Sequence, residues 1–127
     1  MRAIWYLFVM IIGAAMPNLG AAAQTQTRIA VAADASAADA AVSKIAARAP
    51  HMLIFDADGK LLESHPNPAA SNPSSAGAAL ARWLGEKNVQ VLVAGDFGAK
   101  LSAALAERKI RQVAASGPAS KAARGVK

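Results

Sequence analysis

"VQVLVAGDFGAKLSAALAERKIRQVAA", Val89 to Ala115, is the stretch that decides the fold. Its first part, Val89 to Gly95, is an apolar, β-branched run with the length of a buried strand. "GDFG", Gly95 to Gly98, interrupts it. A helical period follows from Ala99 to Arg108, with Leu101, Ala104 and Leu105 on the inward side. Lys109 to Ala115 returns to strand composition. Strand, helix and strand in that order imply a parallel pair, because a right-handed crossover is the connection that packs the helix back onto the sheet.

Upstream, "SSAGAALARWLGEK" places Ala76, Ala79, Leu80, Trp83 and Leu84 at helical spacing, with Ser74 or Ser75 as the cap and Trp83 as a core anchor. Asn88 suits a left-handed position that ends this helix. Pro66 to Ser75 holds three prolines and two asparagines and reads as a loop. "HMLIFD", His51 to Asp56, is a strand. Asp58-Gly59 is a hairpin signal that expects φ > 0 at both residues, so Lys60 to His65 returns antiparallel. "RIAVAA", Arg28 to Ala33, is a short strand with Ile29 and Val31 alternating. The sum is a single α/β domain with a mixed sheet of about five strands and flanking helices.

The 127 residues begin with Arg2 before an apolar run from Ala3 to Ala15, then Pro17-Asn18 and the small residues Ala21 to Ala23. That is the order of an export signal. Cleavage after Ala23 leaves 104 of the 127 residues, divided into a domain at 24–115 and a basic, flexible tail at 116–127. The expected location is the bacterial periplasm, with membrane contact only through an uncleaved signal segment. No cysteine is present, which excludes disulfides, thiolate metal sites and a cysteine nucleophile. The net charge of +6 is scattered and aromatic residues are few, so no nucleic-acid partner is expected.

"RIAVAA", "VSKIAARAPHMLIFDADGKLLE", Asn67-Pro68, "VQVLVAGDFGAKLSAAL" and "KIRQV" follow one another in an order that resembles the dinitrogenase iron–molybdenum cofactor biosynthesis domain, the group that includes NifX, NafY-like and C-terminal NifB domains. The resemblance covers about Arg28 to Val113. It implies a ribonuclease-H-like fold, no enzymatic activity, and binding of an iron–molybdenum or iron–sulfur cluster. Ser43, Arg48 and Asn67 fall on family motif positions and, with Gly95, Asp96 and Gly98 of "GDFG", are the candidate ligand contacts. The family pattern Ser-x-His-Phe-Gly-Arg-Ala-Pro aligns with Ser43 to Pro50. Ser43, Arg48, Ala49 and Pro50 match it, whereas Ile45 takes the histidine position and Ala47 the glycine position. Isoleucine cannot coordinate metal, which counts against cluster coordination there. Ala35 to Arg48 is expected to gain helical character, with Val42, Ile45 and Ala46 facing the sheet. Ile45 is expected to fill part of the crevice beside Gly95.

Other residues carry weaker chemistry. His51 and His65, at the two ends of the hairpin, form a candidate copper or zinc site with Met52. Asp34, Asp56 and Asp96 each follow a strand, and convergence of the three would suggest a magnesium-dependent nuclease; capping and turn roles are the plainer account. "GDFG" offers amides at a helix start to an anion. The reading is an exported, non-enzymatic binding module for a small anionic or metal-containing ligand. Its alternatives are an envelope protein that binds a protein partner, and a histidine–methionine metal site.

Overall fold

The apolar runs pair into one sheet. Its strands are β1 (Ile29–Ala33), β2 (His51–Phe55), β3 (Leu61–Pro66), β4 (Val91–Ala94) and β5 (Arg111–Ala114), in the order β3-β2-β1-β4-β5. The computed structural model describes residues 27–70 and 75–126, so the expected signal at 1–23 and the cap candidate Ser74 lie outside the described residues. β4 and β5 are parallel and joined through α2 (Ala99–Glu107), as the opening stretch requires. β1 is parallel to β4 and antiparallel to β2, which is antiparallel to β3. Among the described residues no helix is long and apolar enough to cross a membrane.

Alternation along the strands builds a core on each face. Ala30, Ala32, Met52, Ile54, Leu92 and Ala94 pack toward Leu80 and Leu84 of α1 (Ala76–Glu86) and Leu101 and Leu105 of α2. Ile29, Val31, Leu53, Phe55, Val91 and Val93 form the other core with Ala119 and Ala123 of α3 (Ala119–Arg124). β1 is buried along its whole length, which is why its five residues carry no polar side chain.

The tail corrects one expectation. Within the stretch read as a tail, Ala119–Arg124 forms a helix packed on the sheet. α3 covers the second face, with Ala119 and Ala123 fully buried and Val126 nearly so. The small residues that read as a frayed tail let this helix approach the sheet closely. Burial of Val126 alone contributes about 2 kcal/mol.

Two turns also differ. In the β2–β3 hairpin only Gly59 is left-handed, at φ 85°. Asp56 Oδ1 accepts from the amides of Asp58 and Lys60, which holds Asp58 in an ordinary turn conformation. α1 and α2 end alike. The amides of Asn88 and Val89 bond Gly85 and Leu84 carbonyls, and those of Lys109 and Ile110 bond Ala106 and Leu105. Asn88 and Lys109 both take positive φ in these Schellman turns. Asn88 was expected to do so. Lys109 was assigned to a strand, which instead begins at Arg111.

Candidate functional site

Asp34 and Asp96 leave the sheet at the carboxyl ends of the parallel strands β1 and β4. In open α/β sheets, strand ends of this kind form ligand crevices. Here the fork is occupied by backbone. Ser43 N donates to Ala32 O (2.7 Å), and Gly95 N donates to Ser43 O (2.9 Å). Ala46 N donates to Asp96 O (3.0 Å), and Ile45 bridges Asp96 as a parallel pair. A Cβ on Gly95 would lie 2.9 Å from both Cα and O of Lys44, so only glycine permits this approach.

The segment from Ala35 to Arg48 is therefore not a helix. It is a loop with isolated strand-like bridges and one short 3₁₀ turn, Ala46–Arg48. Its alanines favour a helix, but bonds to two strands outweigh that preference. Val42 and Ala46 face the interior as expected. Ile45 does not: 48% of its surface is exposed, and the crevice beside Gly95 is closed by main chain rather than by its side chain.

The sequence-derived residues take distinct places around this fork. Ser43 is buried, and its Oγ donates to Asp34 Oδ1 at 2.5 Å, so both groups hold the loop to β1. Asp96 Oδ1 accepts from the Phe97 amide at 2.8 Å, which caps the turn and withdraws one "GDFG" donor from any anion. Gly98 opens α2 at φ 77° with open space around it. Asn67 is buried and turned inward. Its Nδ2 donates to the carbonyls of Ala49 (2.8 Å), Ala46 (3.2 Å) and Ala47 (3.3 Å). Its Oδ1 accepts from the Ala69 amide at 2.9 Å. One side chain thus ties the 3₁₀ turn to the loop after β3.

Between those two tied segments lies a cleft of about 410 Å³, lined among the described residues by Ala47, Arg48, Ala69, Ala70 and Ala76. Arg48 is exposed, and its guanidinium pairs with no described carboxylate. Ala76 is the first residue of α1, and that first turn contains no acidic residue. Among the described residues the wall is small and weakly cationic, and it carries no ligating atom from His, Asp, Glu or Met.

The histidines do not converge. Register pairs Met52 with His65 and His51 with Pro66, so His51 and His65 project from opposite faces of the sheet. Strand alternation separates side chains that proximity in the hairpin had grouped. Among the described residues no group of three or more His, Asp or Glu could hold a metal ion. Nor do the three aspartates meet. Asp56 ends an antiparallel strand, at the opposite end of the sheet from Asp34 and Asp96.

His65 has another role. Its Nε2 lies 2.6 Å from Glu63 Oε1, and its ring meets Trp83 edge-on at 5.2 Å. Arg28 Nη2 donates to Glu63 Oε2 at 2.6 Å, and Lys87 Nζ stands 3.4 Å from Oε1. Arg28 foremost, then His65, holds the Glu63 carboxyl down to about 2. This hub ties the edge strand β3 to the end of α1. Trp83 is half-buried within it rather than a full core anchor. Sequence reading missed Glu63, although Glu63 and His65 two apart on one strand share a face.

A five-strand mixed sheet with a loop-built cationic cleft at its parallel strand ends defines the class: a small α/β protein without an assembled catalytic group among the described residues. The chain belongs to the dinitrogenase iron–molybdenum cofactor family, which it matches over residues 27–127. The apo form of the orange protein from Desulfovibrio gigas is similar, at 28% identity and TM-score 0.68 over 76% of this chain and 82% of that one. A NifB-like protein from Thermotoga shares the fold at 23% identity and TM-score 0.64, over 76% and 83% of the two chains. Protein PH0822 does so at 14% identity and TM-score 0.63, over 77% and 87%. No curated protein sequence matches the chain.

Proposed function

We propose that the chain is an exported binding protein, not a catalyst, whose ligand is a small metal-containing anion, and that charge and shape hold this ligand beside Arg48 without coordination by a side chain. The observation that carries the reading is the cleft itself. Among the described residues it is lined by Arg48, which pairs with no described carboxylate, and by alanines. A planar, permanently charged fork suits an anion with several acceptor atoms. A bare cation would find no ligand on that wall. Membership of the iron–molybdenum cofactor family supports a metal–sulfur or oxometallate cargo. Export rests on the order of residues 1–23.

The test is equilibration of the full chain with molybdate or tetrathiomolybdate, in parallel with copper and zinc salts, followed by gel filtration and metal analysis. The anion is expected to co-elute with new visible absorbance in the thiometallate case, and R48A is expected to release it. Retention of the cations alone, or unchanged anion binding by R48A, would overturn the reading.

A further inference from the structure

The two edges of the sheet are finished differently. β3 is shielded by a register shift opposite Ile54 and Phe55 and by Pro66, and it carries Glu63, tied to Arg28, Lys87 and His65. Bulges, prolines and charges are the usual means of blocking edge pairing. β5 is the other edge, with all four residues exposed or half-buried, no proline and no irregularity in its pairing with β4. The Arg111 amide donates to Gln90 O and the Ala115 amide to Ala94 O. Alternation along the strand therefore turns the amides and carbonyls of Gln112 and Ala114 away from β4. Among the described residues nothing pairs with them.

The charge around this edge is one-sided. Lys109 and Arg111 are exposed and form no ion pair among the described residues, and Glu107 is the sole acid between Leu105 and Ser116; the Arg108 side chain instead lies over Gly85 of α1. A second copy of the same edge would set these cations against each other, which disfavours self-pairing. An acidic strand would meet complementary charge.

We propose that β5 is a docking edge for an extended acidic segment of a partner protein, added as a sixth strand with its carboxylates beside Lys109 and Arg111. Backbone bonds to Gln112 and Ala114 supply the pairing, and the basic flank selects the sequence. The surface is separate from the Arg48 cleft, so docking does not depend on whether that cleft holds an anion.

The experiment uses amide hydrogen exchange of the full chain with the peptide Glu-Val-Glu-Val-Glu and its charge-reversed Lys-Val-Lys-Val-Lys counterpart at low salt. The acidic peptide is expected to slow exchange at Gln112 and Ala114 by about tenfold or more and to lose this effect at high salt. Q112P is expected to fold, because its amide lies outside the ladder, and to lose the effect. R111E, which keeps the strand intact, is expected to prefer the basic peptide. Protection of both amides in the chain alone would overturn the proposal, whether it comes from the chain itself or from a second copy. Equal protection by the two peptides, or by neither, would do the same.

Discussion

Asn67→Ala removes four hydrogen bonds with one truncation. In the parent, Nδ2 serves the carbonyls of Ala46, Ala47 and Ala49, and Oδ1 serves the Ala69 amide. Ala46, Ala49 and Ala69 are each at most 2% exposed, so their polar groups cannot turn to bulk water. An orphaned buried group costs about 1–3 kcal/mol, and a water admitted into the space of the lost amide restores part of it. A net loss of about 2–4 kcal/mol follows, or about 8–20 °C in Tm for a domain of this size. Chemical denaturation is the better assay, because a constant m-value shows that the compact state is unchanged. N67D sharpens the test. It keeps the acceptor for Ala69 but sets a carboxylate against three carbonyls, so its own folded pKa is raised. Its penalty is greatest at neutral pH and shrinks as pH falls through that raised value, when a protonated oxygen becomes a donor again. N67A within about 1 kcal/mol of the parent, or N67D insensitive to pH between 7 and 4, would refute the account of Asn67 as the tie across the cleft.

Three further outcomes check other parts of the structure. Glu63 titrates at about 2 instead of 4.5, so its stabilisation is complete above 4.5 and is lost as pH falls toward 2. With the carboxylate one-third exposed, solvent screening leaves about 1 kcal/mol, and E63Q should show that loss at pH 7 and none near pH 2 by urea melts. G95A forces a Cβ against the Lys44 backbone and should cost about 1–3 kcal/mol, read in the same melts; a neutral effect would mean that the loop does not hold its close approach to β4. I45H changes an exposed side chain and should leave stability within about 0.5 kcal/mol. If it also leaves thiometallate affinity unchanged in equilibrium dialysis, position 45 takes no part in binding; a gain would place the imidazole at the ligand.

The sheet was legible because apolar runs bounded by turn residues report strands directly, and because strand–helix–strand order fixes parallel pairing. α3 was not legible. Its sequence, Ala119 to Arg124, is too short and too low in hydrophobic contrast to show a face, and only the sheet it covers explains it. The cleft was half legible. Arg48 and Asn67 came from a family pattern that says nothing about direction, and the structure turns one outward and the other inward. The histidine pair failed for a more local reason. Proximity in a hairpin was read without parity, and a one-residue offset in register puts two side chains on opposite faces.

Backbone bonding also bears on position 45, where the resemblance would place a histidine. From Val42 to Ala46 the loop is held by main-chain donors and acceptors to Gly117, Ala32, Gly95 and Asp96, with side-chain ties from Ser43 to Asp34 and from Asn67 to the Ala46 carbonyl. None of those bonds passes through the side chain at position 45, which lies on the solvent side. The loop geometry therefore places no demand on that residue's chemistry, and histidine or isoleucine fits the same path at little cost in stability. A coordinating group can be lost or regained there while Arg48 and Asn67 keep their places. On the proposed reading, a histidine at position 45 would add a bond to metal, whereas Arg48 would hold an anion through charge alone.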